Sequence, residues 1–161
     1  MYKILKKTNF FYRKIGILMS LFLLFSSQYA AAQIEVTWED LSAVAKVKKY
    51  IEEYDINYDK PIFAPEIEAI SGEDIVITGH ILPLDVQGDY YILSALPFAS
   101  CFFCSKDGKV GAETVIELKL KYQYDWFKID DVLTFKGRLK LNDSDPNVMY
   151  YVLENAEIAV R

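Results

Sequence analysis

The chain has 161 residues, with 18 lysine or arginine residues and 23 aspartate or glutamate residues, which give a net charge of −5 at pH 7. This acidic balance repels phosphate backbones, so nucleic acid is excluded as an expected partner. Aromatic residues make up 15% of the chain and many of them are tyrosines, which is typical of a sheet-rich domain.

The first 32 residues have the pattern of a secretory signal peptide. They contain five basic and no acidic residues, an apolar run over residues 15–25 that is short for a mature transmembrane helix, and the small-residue pattern Ala30-Ala31-Ala32. This pattern predicts a periplasmic or secreted protein cleaved after Ala32, with an uncleaved anchor as the alternative. The remaining 129 residues carry a net charge of −10 and suit one domain with its own core.

Residues 33–70 are predicted to form an N-terminal helix and a linker. Thr37 followed by Asp40 resembles a capping box at the start of a helix. Apolar side chains then recur at helical spacing, which predicts an amphipathic helix over residues 38–53. These side chains are Leu41, Val44, Val47, Ile51 and Tyr54. Two prolines disfavour both helix and central strand in residues 55–65, which are therefore predicted to be a linker.

Residues 71–161 are predicted to form a β-barrel. Runs of apolar and β-branched residues predict five strands, over residues 74–82, 90–96, 114–122, 132–141 and 148–160. Gly79 in the first run and Gly137 in the fourth interrupt their strands, and such glycines indicate bulges or sharp bends. Five strands with mostly short connections predict an OB-like, five-stranded Greek-key barrel. An SH3-like barrel or a small sandwich is the alternative.

The only two cysteines, Cys101 and Cys104, lie in a long predicted loop between the second and third strands. Two thiols at this spacing close a small disulfide ring, hold half of a zinc or copper site, or exchange electrons as a redox pair. A disulfide that closes so short a ring adds little stability. A thioredoxin-type pair needs a helix after it, which residues 106–111 are not able to begin.

A metal site at the cysteines requires further ligands. Glu113, on the same loop, is the better-placed candidate, and His80 is the weaker one. The predicted first hairpin places His80 opposite Ser94, which is on the order of 20 Å from Cys101 along the strand. The predicted metal ligands are therefore Cys101, Cys104 and Glu113, with His80 added only if the chain folds back before the cysteines.

Three phenylalanines beside the cysteines, Phe98, Phe102 and Phe103, form the clearest candidate for an exposed apolar patch. We expect the loop to lie at one end of the barrel, with one of Phe102 and Phe103 packed and the other exposed. Such a patch is typical of a contact surface, here for a membrane or a periplasmic protein. The sequence has no Ser/His/Asp signature, phosphate-binding glycine loop or HExxH motif, so no catalytic residue is assigned.

Several segments together resemble a known family. The segments are Thr37-Trp38-Glu39-Asp40-Leu41, Gly79-His80-Ile81-Leu82-Pro83-Leu84, and Ser94-Ala95-Leu96-Pro97 leading into Cys101-Phe102-Phe103-Cys104. They resemble the uncharacterised exported bacterial family called domain of unknown function 3299, and the match looks closest to a Bacteroidetes-type branch. The chain departs from the commoner branch in having His80 in place of tyrosine and a CxxC in place of a single cysteine.

The resemblance implies an exported OB-like domain and no established activity. Two functions therefore stay open. The first is a non-enzymatic binding or accessory module that holds a metal or docks a partner through the Cys101/Cys104 loop. The second is a periplasmic thiol-disulfide redox protein.

Overall fold

The computed structural model describes residues 33–85, 90–104 and 110–159. The predicted signal peptide and residues 105–109 lie outside these ranges. The strands are β1 (Ile34–Glu35), β2 (Val44–Ile51), β3 (Ile56–Phe63), β4 (Asp74–Pro83), β5 (Tyr91–Ser94), β6 (Val115–Leu120), β7 (Val132–Leu141) and β8 (Tyr151–Ile158). The helices are α1 (Trp38–Ser42) and α2 (Pro65–Glu68), with 3₁₀ turns at Phe98–Ser100 and Ala112–Thr114. No described helix is long and apolar enough to cross a bilayer.

Five strands close into a barrel in the order β4-β5-β6-β8-β7, and β7 pairs back onto β4. The β6–β8 pair is parallel, and the other four pairs are antiparallel. This order and the single parallel pair are those of an OB-type Greek-key barrel, so the predicted fold class is confirmed. His80 lies opposite Ser94, which confirms the predicted register of the first hairpin. The short strand β1 adds to β4 in parallel.

Two glycines allow the barrel to close. Strand β4 pairs with β7 up to His80 and with β5 from His80 onward, and Gly79 lies at this change of partner. A Cβ at Gly79 would lie 2.7 Å from the Ser94 carbonyl oxygen. Gly137 faces a bulge at Asn155, whose φ is 53°. A Cβ at Gly137 would lie 2.7 Å from a backbone carbonyl oxygen of β8. Both glycines permit a close approach of backbones that a larger residue would block.

The barrel interior is filled by one face of each strand. Its fully buried side chains include Ile75, Ile77, Ile81, Leu93, Ile116, Phe135, Leu139 and Leu153. Apolar and charged residues alternate along parts of β6 and β7, and the apolar ones are buried at Ile116 and Leu118 and at Phe135 and Leu139. The core therefore follows the period-two pattern of the sequence.

The N-terminal region differs from its prediction. Helix α1 begins as expected, because Thr37 Oγ1 accepts a bond from Asp40 N and Asp40 Oδ2 accepts one from Thr37 N at 2.8 Å. The predicted helix over residues 38–53 is wrong beyond Ser42, where the chain enters strand β2. The predicted linker over residues 55–65 is also corrected, since most of it forms β3, which pairs with β2 along its whole length.

Strands β2 and β3 and the turn between them form a two-stranded arm, called the arm below. Its sheet contains no other described strand. The Tyr150 hydroxyl donates to the Asp59 carbonyl oxygen, and the Phe63 ring lies 5.5 Å from the Tyr151 ring between centroids. Lys46 Nζ also lies 2.7 Å from a carboxylate oxygen of Glu113. These contacts attach the base and middle of the arm to the barrel.

Candidate functional site

The described part of the connection from β5 to β6, residues 95–104 and 110–114, is called the cysteine loop. Its 3₁₀ turn at Phe98–Ser100 leads into Cys101, whose N–H donates to the Phe98 carbonyl oxygen. Cys104 N then donates to the Cys101 carbonyl oxygen at 3.1 Å, which makes a tight turn. The turn brings the side chains of Cys101 and Cys104 together. Both cysteines are free thiols, and a hydrogen bond joins their side chains.

The cysteine loop lies against the flank of the barrel. Cys101 is fully buried in a small cluster with Leu82, Ile92 and Val115. The sequence neighbours of these three residues point into the barrel, so the cluster is on the outer surface of β4, β5 and β6. The prediction that the loop lies at an end of the barrel is therefore corrected.

Cys101 covers part of a barrel face that binds ligands in other OB-folds. OB-folds commonly bind ligands on the outer face of their second and third strands, with help from the loops after the first and fourth strands. Here those strands are β5 and β6, and Cys101 packs directly on that face. Leu84 and Met149 pack on the same cluster from the two neighbouring connections. The chain itself thus occupies part of the surface at which this fold usually binds.

A buried carboxylate on the same face was missed by the sequence analysis. Glu117 points out of the barrel, as its alternation predicts, but its residue is only 3% exposed. It forms an ion pair with Lys119, and it accepts a hydrogen bond from Tyr90. Burial and the Glu117 charge raise the pKa of Tyr90, which keeps that hydroxyl a donor. The only sequence signal was a glutamate between β-branched and apolar neighbours, which does not distinguish a covered face from an open one.

The predicted metal ligands are not brought together. Glu113 is engaged by Lys46 at 2.7 Å, and His80 remains opposite Ser94 with its Nδ1 3.4 Å from the Asp130 carbonyl oxygen. Within the described ranges, no three histidine, cysteine, aspartate or glutamate side chains are grouped to hold a metal ion. The two thiols alone supply half of a zinc or copper coordination shell.

The electrostatics of the thiols disfavour redox catalysis. Burial and the hydrogen bond with Cys101 raise the pKa of the Cys104 thiol, so the neutral thiol is favoured at pH 7. Cys101 follows the C-terminal end of its 3₁₀ turn, so it does not have the position that opens the helix of a thioredoxin-type motif. The raised pKa of Cys104 opposes the thiolate that thiol-disulfide exchange requires.

The phenylalanines divide as predicted. Phe102 packs on the Cys101 cluster, and the ring of Phe103 meets it edge-on at 5.1 Å between centroids. Phe103 is 43% exposed, and Phe98 is 41% exposed. The backbone of Phe98 is held by a 2.7 Å bond from its N–H to Asp130 Oδ1. The loop therefore presents two phenylalanine side chains to solvent from a firmly attached backbone.

Comparisons with known proteins bear on the fold. No protein-family model matches the sequence, and no curated protein sequence matches it. A crystal structure of a DUF3299 family protein from Pseudomonas aeruginosa PAO1 matches with a TM-score of 0.51 and 14% identity. The match covers 81% of this chain and 99% of that chain. It confirms the resemblance inferred from the sequence motifs and shows a shared fold, while the Bacteroidetes-type branch stays a prediction.

Proposed function

We propose that this chain is an exported, non-enzymatic binding module that docks a partner protein through the cysteine loop. The observation that carries the proposal is the pair of exposed phenylalanines, Phe98 and Phe103, on a backbone anchored by a buried cysteine. Aromatic anchors at the centre of a contact surface supply a large share of binding energy in protein complexes.

The anchoring of the loop supports the proposal. Pro97 restricts the backbone where the loop begins, and the Phe98–Asp130 bond ties it to the connection before β7. Cys101 fills an apolar cluster on the barrel flank. A loop that is already ordered loses less conformational entropy when it binds, which favours affinity.

The charge of the chain favours a protein partner over a membrane. Residues 33–161 carry a net charge of −10, so anionic lipid headgroups and nucleic acids are repelled. The export of the chain rests on the signal-peptide pattern of residues 1–32. The expected partner is therefore a protein of the periplasm or of the cell exterior.

The test is site-specific photo-crosslinking in the bacterium that produces the chain. A photoreactive phenylalanine analogue replaces Phe103 in one variant and Trp126 in the matched control, because Trp126 is also exposed and lies on a different connection. The proposal predicts a discrete adduct with one protein from position 103 and none from position 126. Adding Phe98→Ser should weaken binding of the identified partner by about tenfold, as expected for a contact residue.

The same variants separate docking from the redox alternative. Equal adducts from both positions, or none from position 103, would contradict docking at the cysteine loop. Turnover of a protein disulfide by the purified chain, lost in Cys101→Ser and retained in Phe98→Ser, would instead support thiol-disulfide exchange.

A further inference from the structure

Strand β2 of the arm has a strand neighbour on one side only. It pairs with β3, and no other described strand pairs with it. Its residues 45–50 are all exposed. An unpaired strand edge offers a row of backbone donors and acceptors to an added strand.

The register identifies which backbone groups point to the free edge. In an antiparallel ladder, hydrogen-bonded and non-hydrogen-bonded pairs alternate. Ala64 N donates to the Ala43 carbonyl oxygen at 3.2 Å, one pair before Val44 with Phe63, so Ala43 and Ala64 form a hydrogen-bonded pair. By alternation, the pairs of Lys46 with Pro61, which has no N–H, and of Lys48 with Asp59 are of the non-hydrogen-bonded type. Lys46 and Lys48 direct their backbone N–H and C=O groups away from β3. By the same alternation, the backbone groups of Val44 and Tyr50 also point to the free edge.

The opposite edge of the arm is already engaged. On β3, Asp59 accepts the Tyr150 hydroxyl and Pro61 has no donor to offer. Strand addition is thus directed to β2.

The side chains along β2 specify the charge of an added strand. The strand carries three lysines, Lys46, Lys48 and Lys49, and no acidic residue, in a chain whose net charge is −5. Lys46 is already paired with Glu113 at 2.7 Å, so Lys48 and Lys49 carry most of the charge that is available to an added strand. Lys48 pairs with Asp59 at 2.8 Å, but both side chains are well exposed, so this pair is weak and screened. Val47 and Tyr50 are 51% and 54% exposed and add apolar area between and beside the lysines.

A second copy of the chain does not fit this edge. Two copies of β2 related by a two-fold axis form backbone hydrogen bonds only when the residues that point to the free edge face each other. These are the even-numbered residues, so even-numbered residues of one copy must face even-numbered residues of the other. Every antiparallel register of this kind that pairs five or more strand residues places a lysine directly opposite a lysine. The facing pairs are 46 with 46, 46 with 48, 48 with 48, or 49 with 49. Like charges directly opposite each other destabilise a strand pair.

We propose that the free edge of β2 binds an extended, acidic segment of a partner protein by β-strand addition. Backbone hydrogen bonds from residues 44–50 supply affinity, and carboxylates opposite the lysines supply specificity. This surface is distinct from the cysteine loop.

The probe is an eight-residue, end-capped peptide of alternating glutamate and valine. Lys46 and Lys48 lie on one face of the arm, and Val47 and Lys49 lie on the other. The alternating peptide therefore places glutamate on the face of Lys48 and valine on the face of Val47. The matched control is the same peptide with lysine in place of glutamate. Binding to the purified exported chain is followed by amide shifts in NMR.

The expected result is saturable binding of the acidic peptide, with shifts concentrated in β2 and affinity at least tenfold above that of the lysine peptide. Lys48→Pro removes an edge-directed N–H that β3 does not use, so it should leave the barrel signals unchanged and weaken binding about tenfold. Lys48→Ala keeps the N–H and should weaken binding less.

Three results would overturn the proposal. They are equal binding of the two peptides, shifts that map to the cysteine loop instead of β2, and equal losses from Lys48→Pro and Lys48→Ala. Dimerisation of the chain through β2 would also overturn it, since a second copy would then be the occupant. This test uses a peptide and variants of Lys48, whereas the test of docking at the cysteine loop uses variants of Phe98 and Phe103, so the two proposals succeed or fail separately.

Discussion

The barrel and the arm are both built mainly from antiparallel strand pairs, yet they are stabilised in different ways. Each barrel strand has a neighbour on both sides, and side chains such as Phe135 and Leu93 are fully buried inside. In the arm, β2 and β3 pair only with each other among the described strands, and half or more of Val47 and Tyr50 is exposed. The barrel therefore depends on its interior, whereas the arm depends on a few contacts at its base and middle.

This difference implies a difference in local stability. A two-stranded hairpin is marginal by itself in water, so the arm depends on Tyr150, Phe63 and Lys46 to stay ordered. Segments with few buried contacts open at a lower free energy than the global unfolding of the domain. Amide hydrogens in the arm are therefore expected to exchange with solvent faster than those in the barrel.

The largest expected effect comes from a substitution inside the barrel. Phe135→Ala removes a fully buried ring and should lower the free energy of unfolding by about 3–5 kcal/mol. The matched change in the arm, Tyr50→Ala, should stay within about 0.5 kcal/mol, as is usual for exposed positions. Urea unfolding measures both. Comparable losses of unfolding free energy would contradict the conclusion that the arm, unlike the barrel, does not depend on a buried interior.

The two cysteines of the cysteine loop should differ in how much their substitution lowers the free energy of unfolding. Cys101→Ser places a hydroxyl in an apolar cluster and should cost about 1–3 kcal/mol of unfolding free energy. Cys104→Ser, at the partly exposed position, should cost clearly less. Thermal unfolding of the two variants under reducing conditions makes the measurement, and equal losses would argue against the flank packing of Cys101.

The smallest effect concerns the attachment of the arm. Tyr150→Phe removes the hydroxyl that donates to Asp59 and should cost about 1 kcal/mol, expressed as faster amide exchange in β2 and β3. Exchange in β4 and β7 should change little. A uniform change across the chain would show that the arm does not open separately.

The same tyrosine predicts a dependence on pH. Burial, reinforced by neighbouring Tyr58, Asp59 and Glu113, raises the pKa of Tyr150 from 10.0 to about 12. Because the folded pKa lies above the unfolded one, the contribution of this phenol is fully present below pH 10 and is lost as the pH rises through about 12. Arm exchange, corrected for its intrinsic pH dependence, should rise over this range. Tyr150→Phe should remove that additional rise, and an unchanged slope in the variant would refute the assignment.

Much of the barrel could be predicted from the sequence. Period-two alternation located Val132–Leu141 at its observed bounds, and Gly79 and Gly137 marked the places where backbones approach closely. The His80–Ser94 register also followed from hairpin geometry. These features are local, since each depends on alternation within a strand or on one short connection. The sequence by itself also placed the two cysteines on one turn.

The arm and the site on the flank were decided by tertiary structure. Val44, Val47 and Ile51 occur at helical spacing, but pairing with β3 and anchoring by Tyr150 select a strand, and the spacing carries no record of that partner. The sequence likewise shows alternation at Glu117 but not what covers its face. Whether a face of a closed sheet meets water or another segment depends on where a distant loop folds. That position is set by packing between residues far apart in the chain, such as Cys101 against Leu82.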